Sequence, residues 1–207
     1  MVAESEDIES ESPRVEIDCP VLVTERLVLR IPRDDDVTEL VELANNRRLA
    51  EMLGRMPNPY RVNDAHSFLS RIRAGEINGC TYAVTLSETG AFIGCAGLEN
   101  RSNGLEIGYW IGEPYWGRGY ATEAAHALVD LAFRATDIDR LNVSCRVTNT
   151  ASRRVFESLA KHLNTTLTVD PLFEAEHFGG AEHEHVGDGA QRDEHRDGLV
   201  RGAVLAE

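Results

Sequence analysis

The chain has 207 residues and a formal charge of −14, and Lys161 is the one lysine among its 21 basic residues. That length suits one domain with a real core. The charge argues against nucleic acid and anionic membranes as partners, and no apolar run reaches the length of a membrane span. The acidic, Ser-rich start, MVAESEDIESESPRVEIDCP, is the opposite of a signal or transit peptide. The cytoplasm is therefore the expected compartment, with Cys19, Cys80, Cys95 and Cys145 as reduced thiols, mostly small core residues. An acid-rich, lysine-poor surface also suits a salt-rich cytoplasm of halophilic type, where repulsion is screened.

Residues 1–18 read as a disordered acidic N-terminus. LVTERLVLRI then alternates, with Leu27, Leu29 and Ile31 on one face of a strand. Asp34 to Asp36 offer a cap for a helix whose apolar stripe is Val37, Leu40, Val41 and Ala44. PNPY breaks it. Asn63 or Asp64 can cap a second helix, with Ala65, Phe68, Leu69 and Ile72 in line.

Three strands follow: TYAVTL, AFIGCAGL and LEIGYWI. Asn103-Gly104 marks a hairpin before the last of them, which sets Leu105, Ile107, Tyr109 and Ile111 on one face. A helix with Ala124, Leu128, Leu131 and Ala132 comes next, then the strand RLNVSCRV with Leu141, Val143, Cys145 and Val147. The helix NTASRRVFESLA, with Ala151, Val155 and Leu159, closes the series. The order β-α-α-β-β-β-α-β-α predicts an α+β fold with a mixed, mostly antiparallel sheet. A domain over 19–165 and an atypical, mostly disordered tail over 166–207 complete the division.

Between the third strand of the meander and its helix lies YWGRGYATEA. Strand, Gly-x-Gly, helix is a phosphate geometry: free N–H groups at a helix start point outward, and the dipole adds roughly half a positive charge. Gly117 and Gly119 would let backbone approach an anion, and Arg118 adds a charge. A P-loop lacks its Gly-Lys-Ser/Thr here. A dinucleotide fingerprint lacks its third glycine and its β-α-β setting. An acyl-CoA pyrophosphate loop, with Ala121 as the small residue two beyond Gly119, and a plain strand-to-helix turn both stay open.

Residues 22 to 159 resemble the GNAT N-acetyltransferases, specifically the branch of RimJ and RimL type that acetylates ribosomal-protein N-termini. TERLVLR resembles the opening strand of that branch, LEIGYWIGEPYWGRGYATEA its fourth strand and cofactor loop, and NTASRRVFESL its last core helix. The resemblance implies a three-layer α/β/α fold. It also implies transfer of an acetyl group from acetyl-CoA, as co-substrate, to a primary amine, by direct attack in a ternary complex. CoA phosphates would sit on the loop formed by Trp116, Gly117, Arg118, Gly119, Tyr120, Ala121 and Thr122. The acetyl oxygen would meet a backbone N–H near Trp110 and Ile111, where Gly108 and Gly112 fit an irregular strand.

Glu106 could deprotonate the amine, through water, or be a solvated carboxylate. Tyr109 could line the acceptor site or belong to the core. The resemblance places Asn149 on the pantetheine arm and Ser152 near the sulfur. Their bland roles are an N-cap and a solvated helix face. Many relatives carry a tyrosine acid seven residues after this asparagine. Here that residue is Phe156, so Ser152 or water must serve instead.

The acceptor is a protein N-terminus or a small amine, among which polyamines, aminoglycosides and free amino acids all fit, and a homodimer stays open. The other function class is a non-catalytic CoA-binding or sensor module, or an inactive product of a frame-shifted gene. No metal is expected: His177, His183, His185 and His195 lack the companions of a metal site. The tail should leave the C-terminal strand pair degenerate or missing, since only TLTV and LVRGAVLA in it can form strands. The sheet edge beside the fifth strand would then be partly uncovered.

Overall fold

Alternating apolar residues lay down a mixed sheet with helices on both faces. The computed structural model describes residues 15–53 and 56–164, together with the backbone of Leu167–Asp170 and Leu199–Leu205. Strands β1 (Leu22–Val23), β2 (Leu27–Arg30), β3 (Gly79–Leu86), β4 (Phe92–Arg101) and β5 (Gly104–Ile111) pair antiparallel in sequence order. β6 (Arg140–Arg146) joins β5 in parallel through the crossover helix α4 (Tyr120–Ala135). Ile31 and Val147 fall just outside their strands and are exposed rather than continuing the inward rows.

Helices α1 (Val37–Ala44), α2 (Arg47–Leu53) and α3 (Val62–Arg73) precede β3. The sequence pattern anticipates two helices here, not three: α2, RRLAEML, buries only Leu49 and so has no apolar stripe to read. Leu40, Ala44 and Ala65 pack with Ala83, Phe92 and Cys95 on one face of the sheet. On the other face α4 and α5 (Thr150–His162) cover Leu29, Tyr82, Ile93, Leu105 and Ile107. The two cores give the three-layer α+β architecture. Arg30 joins the first of these helices to β2 with two hydrogen bonds to the buried Asp36, at 2.8 and 2.6 Å.

Three expectations are corrected. The C-terminal strand pair is present: β8 (Leu199–Leu205) pairs antiparallel with β6 from Arg140↔Leu205 to Arg146↔Leu199, and β7 (Leu167–Asp170) pairs with β8. The edge of β6 is therefore covered, because seven residues able to extend suffice to satisfy its backbone whatever the composition of the segment before them. Residues 171–198, with His177, His183, His185 and His195, lie outside the described residues.

The second correction concerns the thiols. Cys19 and Cys80 form a disulfide with Cα atoms 5.5 Å apart, while Cys95 and Cys145 are free and buried. The pairing depends on the chain before β1 running alongside β3, which no spacing in the sequence encodes. Third, the N-terminus is held from Val15 on, where backbone N–H and C=O both bond to the Asn100 side chain, at 3.0 and 2.9 Å.

Helices α4 and α5 meet through a stacked pair, His126 and His162, with centroids 4.3 Å apart. His162 reaches Asp130 at 2.9 Å and His126 reaches Ser158 at 3.1 Å. Burial, and then the neighbouring His162, hold the His126 pKa below its ordinary value. The unfolded chain therefore takes up this proton first as pH falls. The stability involved is complete above the unfolded value of about 6.5 and is lost as pH drops below it. The urea midpoint should fall between pH 7 and 5, and His126→Gln should flatten that fall. Equal slopes in the two proteins would refute the assignment.

Candidate active site

β5 runs beside two neighbours and parts from one of them. Against β4 its register is continuous from Arg101↔Gly104 to Gly94↔Ile111. Against β6 only Glu106↔Asn142 and Ile107↔Val143 are paired. From Gly108 onward the two parallel strands diverge. The Gly112 N–H donates to the Ile93 carbonyl of β4. Strand alternation then turns the backbone groups of Trp110 toward β4 and those of Tyr109 and Ile111 toward the gap. Trp110, expected beside Ile111 as a source of the backbone donor, thus presents its N–H away from the gap. Its ring packs edge-on against Phe92, 6.0 Å away, on the face of α1. Gly94 allows β4 to stay close here: a Cβ on it would lie 2.1 Å from the Trp110 carbonyl oxygen.

Beyond β5 a 3-10 turn, Glu113–Tyr115, leads to the glycine loop. The Trp116 indole N–H donates to the Ile111 carbonyl, which fills one polar group on the open edge. Gly117 and Gly119 have φ of 73° and 80°, a left-handed backbone that side chains disfavour. Gly119 is the N-cap of α4, and no side chain caps that end. The N–H groups of Tyr120, Ala121 and Thr122 are the first three of the helix and have no intrahelical acceptor. Together with the dipole they make this end an anion site in waiting.

The residues that hold this loop carry no local sequence pattern. Glu123, in the first turn of α4, accepts from Thr24 Oγ1 at 2.6 Å, from the Arg26 N–H at 2.8 Å and from Arg26 Nε at 2.7 Å. Arg26 also donates to the Arg118 carbonyl at 2.9 Å, and its guanidinium lies 4.8 Å from the centre of the Tyr120 ring. Burial pushes the Glu123 carboxyl up, but the hydrogen bonds from Thr24 and Arg26 outweigh it and hold its pKa below the ordinary value. On the other side of the loop Glu113 accepts from Asn46 and from Arg48, whose guanidinium lies 5.2 Å from the Trp116 ring centre.

The remaining candidates lie on β5 and in the first turns of α5. Asn149 is the N-cap of α5, accepting from the Ser152 N–H at 3.0 Å. Phe156, one turn beyond Ser152, is buried, and its ring meets Tyr109 edge-on with centroids 6.5 Å apart. Tyr109 therefore faces α4 and α5 rather than the side of α1. Glu106 stands at the last paired stretch of β5, about 10 Å up the strand from Tyr109. It accepts from the Ser144 hydroxyl of β6, and Arg101 Nε lies 3.5 Å from its other oxygen. Among the described residues no group of His, Cys, Asp and Glu is placed to hold a metal, and no helix is long and apolar enough to cross a membrane.

A strand that parts from its parallel neighbour and runs into a glycine loop at an uncapped helix start defines a class of acyl-transfer folds, and the comparisons agree. The family model described as acetyltransferase (GNAT) domain matches residues 26–160. The chain belongs to the GNAT acetyltransferases and is an N-acetyltransferase. It is 28% identical over 144 residues to the uncharacterized N-acetyltransferase p20 of Bacillus licheniformis, across 67% of this chain and 80% of that protein. An acetyltransferase from Agrobacterium tumefaciens strain C58 superposes with a TM-score of 0.62 at 26% identity, covering 92% of this chain and 98% of its own. RimL, the ribosomal L7/L12 alpha-N-protein acetyltransferase solved with coenzyme A, superposes with a TM-score of 0.66 at 19% identity, covering 90% and 97%.

Removing the Glu123 anchor should be felt throughout the loop. Glu123→Ala should lower the unfolding free energy by about 1–3 kcal/mol, since three donors lose a charged acceptor. The group's folded pKa is depressed, so its contribution is present above the unfolded value and lost as pH falls. The gap between variant and parent should begin to narrow as pH falls below about 4. Urea unfolding at pH 7 and at pH 3.5 reads both.

Proposed function

We propose that this chain moves an acetyl group from acetyl-CoA to a primary amine by direct attack in a ternary complex. The observation that carries this reading is the divergence of β5 from β6, which ends at the uncapped start of α4. A pantetheine arm fits such a gap because it can bond to strand backbone, and a pyrophosphate fits the loop because the N–H groups of Tyr120 to Thr122 converge there. Asn149 and Ser152 line the α5 side of the same gap. The N–H of Ile111 or of Tyr109 is positioned to bond the carbonyl oxygen as it gains charge. CoA bound by RimL, a structural neighbour, supports the cofactor assignment.

The acceptor amine enters from the face of α1 and α2. Glu106 takes its proton through water, because the carboxylate stands too far up the strand for direct contact with an acetyl group at Tyr109 or Ile111. Ser144 and Arg101 hold that carboxylate in place. Ser152 delivers a proton on the sulfur side. A protein N-terminus and a small amine both satisfy this scheme.

Thiol release from acetyl-CoA with a panel of peptide and small amines tests the reading; no release with any amine would overturn it. Glu106→Gln should then lower turnover by about 10²–10⁴-fold with little change in CoA affinity if the carboxylate is the base. Gly119→Val should abolish CoA binding in calorimetry, since it sets a branched side chain on a left-handed backbone at the phosphate approach. Circular dichroism should show the variant folded, so that the loss is one of binding.

A further inference from the structure

Glu113 stands where the helices α1 and α2 meet the start of the glycine loop. Its carboxylate accepts from the Asn46 side chain through one oxygen and from the Arg48 guanidinium through the other. Asn46 is itself fixed, because its side-chain oxygen accepts from the Leu49 N–H of α2 at 3.1 Å. Its neighbour Asn45 accepts from the Tyr60 N–H at 3.1 Å, so the same elbow between α1 and α2 holds the chain leading into α3. Leu43, at the end of α1, packs on the residue before Glu113: a Cβ on Gly112 would come within 2.8 Å of it. The elbow thus grips the turn after β5 at both Gly112 and Glu113.

The grip reaches the β5 backbone through Trp116. That side chain is 37% exposed, and its one hydrogen bond, from the indole N–H to the Ile111 carbonyl, would by itself leave the ring free to change rotamer. Arg48 lies over the ring, 5.2 Å from its centre, and Glu113 holds Arg48 there. The peptide group between Ile111 and Gly112 is then fixed at both ends, by Trp116 on its carbonyl and by the Ile93 carbonyl 2.8 Å from its N–H. Resting on the acetyl-transfer reading, we propose that Glu113 is a positioning residue. Acting through Arg48 and Trp116, it sets the Ile111 backbone so that the Ile111 N–H meets the acetyl oxygen as charge develops. The Arg48–Glu113 pair lies near solvent, with side chains 70% and 36% exposed, and adds little stability. What it supplies is orientation, so its removal spares the fold.

With acetyl-CoA and an amine that releases thiol in the wild-type protein, Glu113→Ala should lower kcat about 10-fold and change KM for acetyl-CoA by less than about twofold. The KM is spared because Arg26 and Glu123 still hold the start of α4. Glu113→Gln, which keeps an oxygen for Arg48, should lose less. Trp116→Phe removes the indole N–H at the end of the relay, so adding Glu113→Ala to it should slow the enzyme no further. Acrylamide quenching of tryptophan emission should rise in Glu113→Ala, since Trp116 is released while Trp110 stays against Phe92. Unchanged kcat, unchanged quenching, or losses that multiply in the double variant would each overturn the role of Glu113 and leave acetyl transfer standing. A wild-type protein that releases no thiol with any amine overturns the acetyl-transfer reading and this proposal together.

Discussion

Two paired positions hold β5 to β6, and the site exists because there are only two. A parallel ladder that continued past Ile107 would satisfy the backbone of Tyr109 and Ile111 and close the gap. Its absence leaves polar groups on an inner edge, which is costly unless something fills them. One is filled from within the chain, by the Trp116 indole on the Ile111 carbonyl. The rest face the gap between β5 and β6. On the opposite edge the β4 ladder stays tight, helped by Gly94, so the divergence belongs to β6 and not to a general loosening of the sheet.

The helix start at the end of that gap needs a second kind of support. A left-handed glycine N-cap offers no side chain to bind the first N–H groups, and a negative Glu123 in the first turn would compete with an anionic ligand. Arg26 removes the second difficulty and steadies the turn, while the first N–H groups stay unbound. It neutralises Glu123, ties the Arg118 carbonyl and stacks on Tyr120. The charge that remains at the helix start is then that of the backbone, directed outward.

Much of this was legible in the sequence because it rests on local chemistry. Gly117-Arg118-Gly119 ahead of an Ala-rich helix reads as a bare turn, and the alternation in LEIGYWI sets Tyr109 with the core-facing row. What stayed hidden rests on distance in sequence. Arg26 and Glu123 are 97 positions apart and look like surface charges. Cys19 and Cys80 are 61 apart. The course of an α2 that buries one leucine is set by its neighbours rather than by its own pattern. The last strands failed for another reason. LVRGAVL was recognised as able to extend, but its worth depended on the bare edge of β6, which only the assembled sheet reveals.

The tie between Glu123 and the stretch Thr24–Arg26 also fixes what counts as one folding unit. The segment shared with the family begins at residue 26, inside that tie. A chain cut there would keep the start of that segment and lose Thr24, the partners of Asn100 and Cys80, and the strand β1. A cut at residue 160 would remove β7 and β8 and bare β6. The portable module in this protein is therefore wider than its recognisable portion. Any transplantation or fusion that respects only the recognisable portion would separate the phosphate loop from the residues that hold it still.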